Sequence, residues 1–459
     1  MVVEAFPNGF LWGVATSAFQ IEGAHDVDGR GRSIWDTYAE QPGLIEDGSN
    51  AHVACDHYHR YAEDIGLMGS LGVGAYRFSV AWPRILPNGR GTVNTAGLDF
   101  YDRLVDGLLS AGIAPWATLY HWDLPQALED EGGWTRRSTV DAFVEFADAV
   151  SGRLGDRVAQ WITHNEPWCV SVLGYAQGDH APGKRSWPDA LAASHHLLLS
   201  HGRAVPVIRR NSARSEVGIT LNVSECEPAS PSEADHIAAR QFDGELIRWF
   251  LDPIYLGRYP EDVIEYHQRK GRLPHGMDFV KPGDLEEINT PIDFLGVNYY
   301  SRAVVRSATI PEADNEARTI AVPDPAELTD MGWEVYPKGL THSLVRLNAD
   351  YEPGSFVVTE NGAAYATGPG SDGSVQDTRR CEYLKSHLQA CLAAIDEGVP
   401  LDGYFLWSLL DNFEWAFGFA KRFGIVWVDF ETQERVIKAS GHLYRYIIQN
   451  NELPEDQAA

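Results

Sequence analysis

Short apolar or β-branched runs alternate along the chain with longer stretches in which apolar residues recur at helical spacing. The short runs are Gly9–Ala18, Ala75–Val80, Ala114–Tyr120, Gln160–His164, Val217–Asn222, Phe294–Tyr299, Ser355–Thr359 and Gly403–Ser408. Most end in polar or aromatic residues where a loop begins. Between them lie amphipathic stretches such as Ser138–Leu154, with Val140, Phe143, Val144, Ala147 and Val150 on one face, and Asp377–Glu397, with Cys381, Leu384, Leu388, Cys391 and Leu392. Apolar strands separated by amphipathic helices are the pattern of βα units around a parallel sheet. Eight such strands suit a closed barrel with the helices as its outer ring. The pattern predicts an α/β protein built as a (β/α)8 TIM barrel.

The chain has 459 residues, more than the roughly 250–300 at which single cores usually divide, although decorated α/β barrels exceed 400. No linker divides it. The Gly/Ser-rich piece Thr367–Ser374 is short and follows a strand, and the Pro-rich, acidic region Ile310–Trp333 is a second insertion after a strand. Both read as loops at the barrel mouth, so one domain over residues 1–459 is expected.

Hydrophobic residues at 44% and charged residues at 22% place the chain among folded globular proteins. Its 37 Lys+Arg against 65 Asp+Glu leave a net charge of −28, which disfavours a phosphate backbone or an anionic membrane surface as partner. No apolar run approaches the roughly 20 residues of a spanning helix. A neutral small molecule remains, and an acidic chain with 14 Trp suits sugars, since carboxylates bond hydroxyls and indoles stack on pyranose faces. Cys55, Cys169, Cys226, Cys381 and Cys391 are too few and scattered for a disulfide framework. With no basic segment leading into an apolar one at Met1–Phe10, a cytoplasmic location is expected. His52, Cys55, Asp56, His57 and His59 lack a second half-site of zinc spacing, and His195, His196 and His201 lie in an apolar helical pattern. The loop around Gly368 lacks the ending of a phosphate loop. No metal and no cofactor is expected.

Chemically loaded residues cluster at the strand ends: Gln20, Arg77, His121 with Trp122, Asn165 with Glu166, Asn222, Asn298 with Tyr300, Glu360, Trp407, and Glu414 with Trp415 just beyond. In a (β/α)8 barrel these ends converge on one mouth. Glu166 and Glu360 stand half a barrel turn apart. Glycoside hydrolysis needs two carboxyls, about 5–5.5 Å apart for retention and about 6.5–9.5 Å for inversion. The sequence leaves that separation open.

Five segments resemble family 1 glycoside hydrolases, the β-glucosidase family. They are Phe10-Leu-Trp-Gly-Val-Ala-Thr-Ser-Ala-Phe-Gln-Ile-Glu-Gly23, Trp161-Ile-Thr-His-Asn-Glu-Pro167, Val357-Val-Thr-Glu-Asn-Gly362, Gly403-Tyr-Phe-Leu-Trp-Ser-Leu-Leu-Asp-Asn-Phe-Glu-Trp415 and Arg422-Phe-Gly-Ile-Val-Trp-Val-Asp429. The resemblance runs in order from about Phe6 to about Ile448. It implies hydrolysis of β-glycosides with retention, Glu360 as nucleophile and Glu166 as acid/base. Arg77 and Tyr300 match positions that hold the nucleophile, Asn298 belongs to the same supporting set, and Asn165 matches the residue on the sugar 2-OH. Gln20, His121, Trp122, Trp407, Glu414 and Trp415 match the sugar-binding set, with Glu414 expected as an ionised acceptor. Trp168, Cys169, Asn222 and Trp333 match the leaving-group side, with His180 nearby.

Relatives acting on 6-phosphoglycosides have small residues in place of the Glu-Trp pair and supply Ser, Lys and Tyr to the phosphate. Here Glu414, Trp415 and Phe423 stand, with Lys421 alone retained, so an unphosphorylated sugar is implied. Glu166, where thioglucosidases carry Gln, implies O-glycosides. The expectation is an exo-acting β-glucosidase cleaving cellobiose, short oligosaccharides or aryl and alkyl glucosides without a cofactor. A galactosidase or fucosidase preference, transglycosylation and a non-catalytic sugar-binding barrel are the alternatives. Preferred linkage and oligomeric state stay open.

Overall fold

The computed structural model of the protein describes residues 5–307, 309, 318–319 and 326–454. Eight parallel strands close a barrel: β1 Leu11–Ala15, β2 Ala75–Ser79, β3 Ala114–Tyr120, β4 Gln160–Asn165, β5 Glu216–Val223, β6 Phe294–Tyr299, β7 Phe356–Asn361 and β8 Leu401–Trp407. They neighbour one another in sequence order, and β1 pairs with β8, Leu11 facing Gly403 and Ala15 facing Trp407. This is the (β/α)8 TIM barrel that the alternation predicts.

Inside the barrel, Trp116 packs against Phe294 and Phe405 with ring centroids 5.3 and 5.0 Å apart, among Ala15, Ile162 and Val357. This plug fills the interior below the mouth, so a cavity can open only at the C-terminal ends of the strands. Space is tight: a Cβ on Gly13 would stand 2.3 Å from the Phe405 ring. Outside, helices such as Arg137–Leu154, Trp187–Asn211 and Thr378–Asp396 bury their apolar stripes on the strands.

The first predicted strand, Gly9–Ala18, is too long. Ser17 turns the chain into a helical turn over Ala18–Ile21, where Ala18 N–H donates to Ser79 Oγ at 2.7 Å. β7 in contrast runs two residues past its predicted end, through Glu360 and Asn361. Asn361 is fixed there because its Nδ2 donates to Tyr299 O and Tyr383 Oη, while Tyr404 Oη donates to its Oδ1. Small outer strands at Cys226–Pro228, Ala303–Arg306 and Arg318–Thr319 form a sheet that the sequence did not announce. Of the predicted insertion Ile310–Trp333, residues 326–333 are described with 318–319, and the remainder lies outside the described residues. Among the described residues, no helix is long and apolar enough to cross a membrane.

Candidate active site

Arg77, fully buried on β2, organises the floor of the mouth. Its Nη1 donates to Glu360 Oε1 at 2.6 Å and to Thr359 O at 3.1 Å, its Nη2 to Asn165 Oδ1 at 2.7 Å, and its Nε to Thr118 Oγ1 at 3.1 Å. Tyr300, just past β6, donates its hydroxyl to Glu360 Oε2 at 2.6 Å. Both oxygens of Glu360 therefore receive strong donors. Among the described residues no cation pairs with Glu166: Asn298 Nδ2 donates to Oε1 at 2.7 Å and Cys169 Sγ to Oε2 at 3.1 Å. Its backbone φ of 48° lies in the left-handed region, as do those of Trp122 at 78° and Trp415 at 48°. Such strain in non-glycine residues concentrates at functional sites.

Burial raises both carboxyls, but unequally. Glu166 is pushed up to about 7 by burial first and by the neighbouring Glu360 second. Burial also pushes Glu360 up, against the Arg77 charge and the Tyr300 hydroxyl, which pull it back. The carboxyl holding the guanidinium is the one that ionises first. Glu414 is pushed up to about 8, by burial and then by Glu360 and Glu166. Burial, with the neighbouring Glu360 and Glu166, thus favours the protonated form of Glu414, where the sequence reading expects an ionised acceptor.

The mouth holds a cavity of about 640 Å³. Of the predicted site residues, Gln20, Arg77 and Asn165 stand behind its wall and every other one lines it. Gln20 is fully buried, with Oε1 accepting from Ser17 Oγ at 2.6 Å and Nε2 shared among Phe413 O, Asn412 Oδ1 and, at 3.4 Å, Glu414 Oε2. Trp122 Nε1 donates to Asn165 O at 2.9 Å, so this indole presents its ring and not its N–H. His121 Nε2 faces Asn165 Nδ2 at 3.0 Å and accepts, which puts its proton on Nδ1; burial and then Arg77 keep the ring neutral. Its ring lies near-parallel to Trp407 and Trp415, with centroids 5.8 and 5.9 Å away. Trp333 packs against Tyr300 and Phe423, and Trp168, Cys169 and Asn222 also line the cavity.

The family model described as Glycosyl hydrolase family 1 matches residues 2–453. The chain belongs to this family. "Beta-glucosidase A" of Acetivibrio thermocellus is 49% identical over 449 residues, 97% of this chain and 98% of the relative. The Thermotoga maritima β-glucosidase solved in complex with glucoimidazole superposes with a TM-score of 0.93 at 47% identity, over 98% of this chain and 100% of that one. A "Bifunctional beta-D-glucosidase/beta-D-fucosidase" of Bifidobacterium breve is 44% identical over 461 residues, 96% of this chain and 98% of the relative.

This family 1 hydrolase also lines its cavity with Leu173, Phe242, Leu246 and Met331, which sequence reasoning missed. Leu173, Phe242 and Leu246 sit in stretches that read as ordinary core, Met331 lies in the insertion read as a mouth loop, and no motif marks any of them. The histidine-rich segment near the first long helix has internal partners. His57 Nδ1 meets Asp64 Oδ2 at 2.7 Å, His59 Nδ1 meets Asp56 Oδ1 at 2.6 Å, and the Cys55 thiol donates to Asp411 O at 3.1 Å. Among the described residues, no three His, Cys, Asp or Glu converge as metal ligands do. His180 lies edge-on to Trp35 and tilted against Trp122, with centroids 5.3 Å away in each case, and lines the cavity wall.

Proposed function

We propose that this hydrolase is a retaining, exo-acting β-glucosidase acting on unphosphorylated β-glucosides, with Glu360 as nucleophile and Glu166 as acid/base. One observation carries the reading: two carboxyls share a cavity, Glu360 bonded by Arg77 and Tyr300 and Glu166 bonded only by neutral donors. The ionised carboxyl attacks C1 while the protonated one gives its proton to the leaving oxygen. Esterification removes the charge of Glu360, so Glu166 becomes easier to ionise and takes a proton from the incoming water. Asn165, with one Nδ2 hydrogen beyond its His121 bond, serves the 2-OH. Glu414 and Gln20 serve the hydroxyls far from C1, Trp407 and Trp415 the ring, and Trp333 with Trp168 the leaving group. In this reading the chain works as one barrel domain, supported by a family match that runs almost end to end.

The experiment is hydrolysis of an aryl β-glucoside by Glu360→Ala and Glu166→Ala, followed by azide rescue. Turnover near wild type in either variant sinks the assignment; glucosyl azide of inverted configuration from Glu360→Gly supports the nucleophile. A β-fucosidase or β-galactosidase preference is the second reading, favoured by the name of the Bifidobacterium breve relative. Rates on the matching nitrophenyl glycosides decide between them.

A further inference from the structure

The amides around the two glutamates take their orientation from Arg77. A guanidinium has only donors, so the Asn165 atom it meets at 2.7 Å is Oδ1. Asn298 approaches the same oxygen at 3.0 Å and must turn its Nδ2 toward it. The other hydrogen of that Nδ2 goes to Glu166 Oε1 at 2.7 Å, and Thr359 Oγ1 donating to Asn298 Oδ1 at 2.7 Å agrees with this orientation. Oε1 of Glu166 is therefore an acceptor whether the carboxyl is neutral or ionised. The acidic proton belongs on Oε2, whose side-chain partner is the Cys169 thiol at 3.1 Å.

We infer that Glu166 holds and delivers its proton at Oε2, and that Cys169 is the positioning residue that keeps this oxygen toward the cavity. This rests on the reading of Glu166 as acid/base. Cys169 begins a π-helical segment, Cys169–Gln177, three residues after Glu166, so the thiol is fixed by the same turn that carries the glutamate. Sulfur is a weak donor and a weak acceptor. When Glu166 is ionised the S–H steadies Oε2, and when Glu166 is neutral the sulfur barely competes for its proton. That proton passes to the glycosidic oxygen as the C1–O bond breaks with its electron pair left on oxygen, while Glu360 closes on C1. Burial holds the thiol itself protonated, and the charged or titratable groups facing Glu166 are Glu360, Arg77, Tyr300, Glu414 and Cys169.

The test is the pH dependence of kcat/KM for Cys169→Ala and Cys169→Ser, on methyl β-glucoside and on 2,4-dinitrophenyl β-glucoside. Removing a donor from the carboxylate raises the Glu166 pKa, so the upper limb of Cys169→Ala moves up by about half a pH unit or more. A hydroxyl donates more strongly than a thiol, so the limb of Cys169→Ser moves down. The loss in Cys169→Ala is several-fold larger on the methyl glucoside, whose leaving group needs the proton, than on the dinitrophenyl one. Unmoved limbs in both variants, with equal losses on both substrates, overturn the inference. Should Cys169→Ala not fold, the downward limb of Cys169→Ser carries the test. Glu166→Ala is the control: equal loss on both substrates means that the acid/base reading itself has failed, while selective loss there beside wild-type behaviour of the Cys169 variants refutes the Cys169 role alone.

Discussion

Tyr300→Phe removes one oxygen from the site and little else. The ring that packs on Trp333 and Phe423 stays, with centroids 5.4 and 6.0 Å away, so the mouth keeps its shape. What disappears is the hydroxyl donating to Glu360 Oε2 at 2.6 Å. A hydrogen bond to a charged group contributes about 1.5–3 kcal/mol, and 1.36 kcal/mol corresponds to one pKa unit. The bond favours the ionised form, so its loss raises the Glu360 pKa by about 1–2 units. Glu360 must be ionised to attack, and the acidic limb of kcat/KM therefore moves up by that amount while Arg77 still holds Oε1. The limb set by Glu166, near pH 7 from its carboxyl at about 7, moves little, so the profile narrows from its acid side. The assay is kcat/KM on p-nitrophenyl β-glucoside from pH 4 to 9. An acidic limb within about 0.3 units of wild type, far below the expected 1–2, refutes the claim that Tyr300 keeps the nucleophile ionised.

Arg77→Met leaves Glu360 without its cation and strips donors from Asn165 and Thr118; removing one partner of a buried pair costs about 3–5 kcal/mol, so both the melting temperature and turnover should fall. Glu414→Ala should lower kcat/KM on glucosides by about 10- to 100-fold, the worth of one or two hydrogen bonds to a carboxyl, with less effect on the 6-deoxy sugar of a fucoside, which lacks one hydroxyl. Trp333→Ala should raise KM for cellobiose and aryl glucosides about 3- to 10-fold through lost stacking while sparing kcat, as initial-rate kinetics would show. Lys438→Met, at a fully buried Lys438–Asp411 pair of 2.7 Å, should destabilise the fold by about 3 kcal/mol in urea titration. Arg422 still pairs with Asp411 at 2.8 Å and limits the damage.

Barrel strands were legible where sharp breaks bound them. Ala114–Tyr120 follows Gly112 and ends before the polar His121–Asp123, and Phe294–Tyr299 stands between Pro291 and the Ser301 loop; both match the structure. Gly9–Ala18 was overrun because its apolar pattern continues through Phe19 into a helical turn, and pattern alone cannot distinguish the two. Glu166 and Glu360 were legible because motifs carry them. The bonds that separate their chemistry were not, since they join distant parts of the chain: Arg77 lies 283 residues from Glu360, Asn298 132 from Glu166 and Tyr300 60 from Glu360. The cavity wall of Leu173, Phe242 and Leu246 was hidden for the opposite reason: each is an apolar residue in a helical stretch, and only the fold turns that face toward the mouth. The upward push on the Glu414 carboxyl comes from burial first and then from the two carboxyls beside it, and belongs to the assembled site.

Labelling by a 2-deoxy-2-fluoro β-glucoside with a good leaving group tests the central claim most directly, because its glycosyl-enzyme ester forms faster than it hydrolyses. Peptide mass mapping of the inactivated protein should find one sugar, on the peptide carrying Val357-Val-Thr-Glu-Asn-Gly362, with fragmentation placing it on Glu360. A label on Glu166 or elsewhere, or rapid turnover with no covalent adduct and an inverted product, would contradict it.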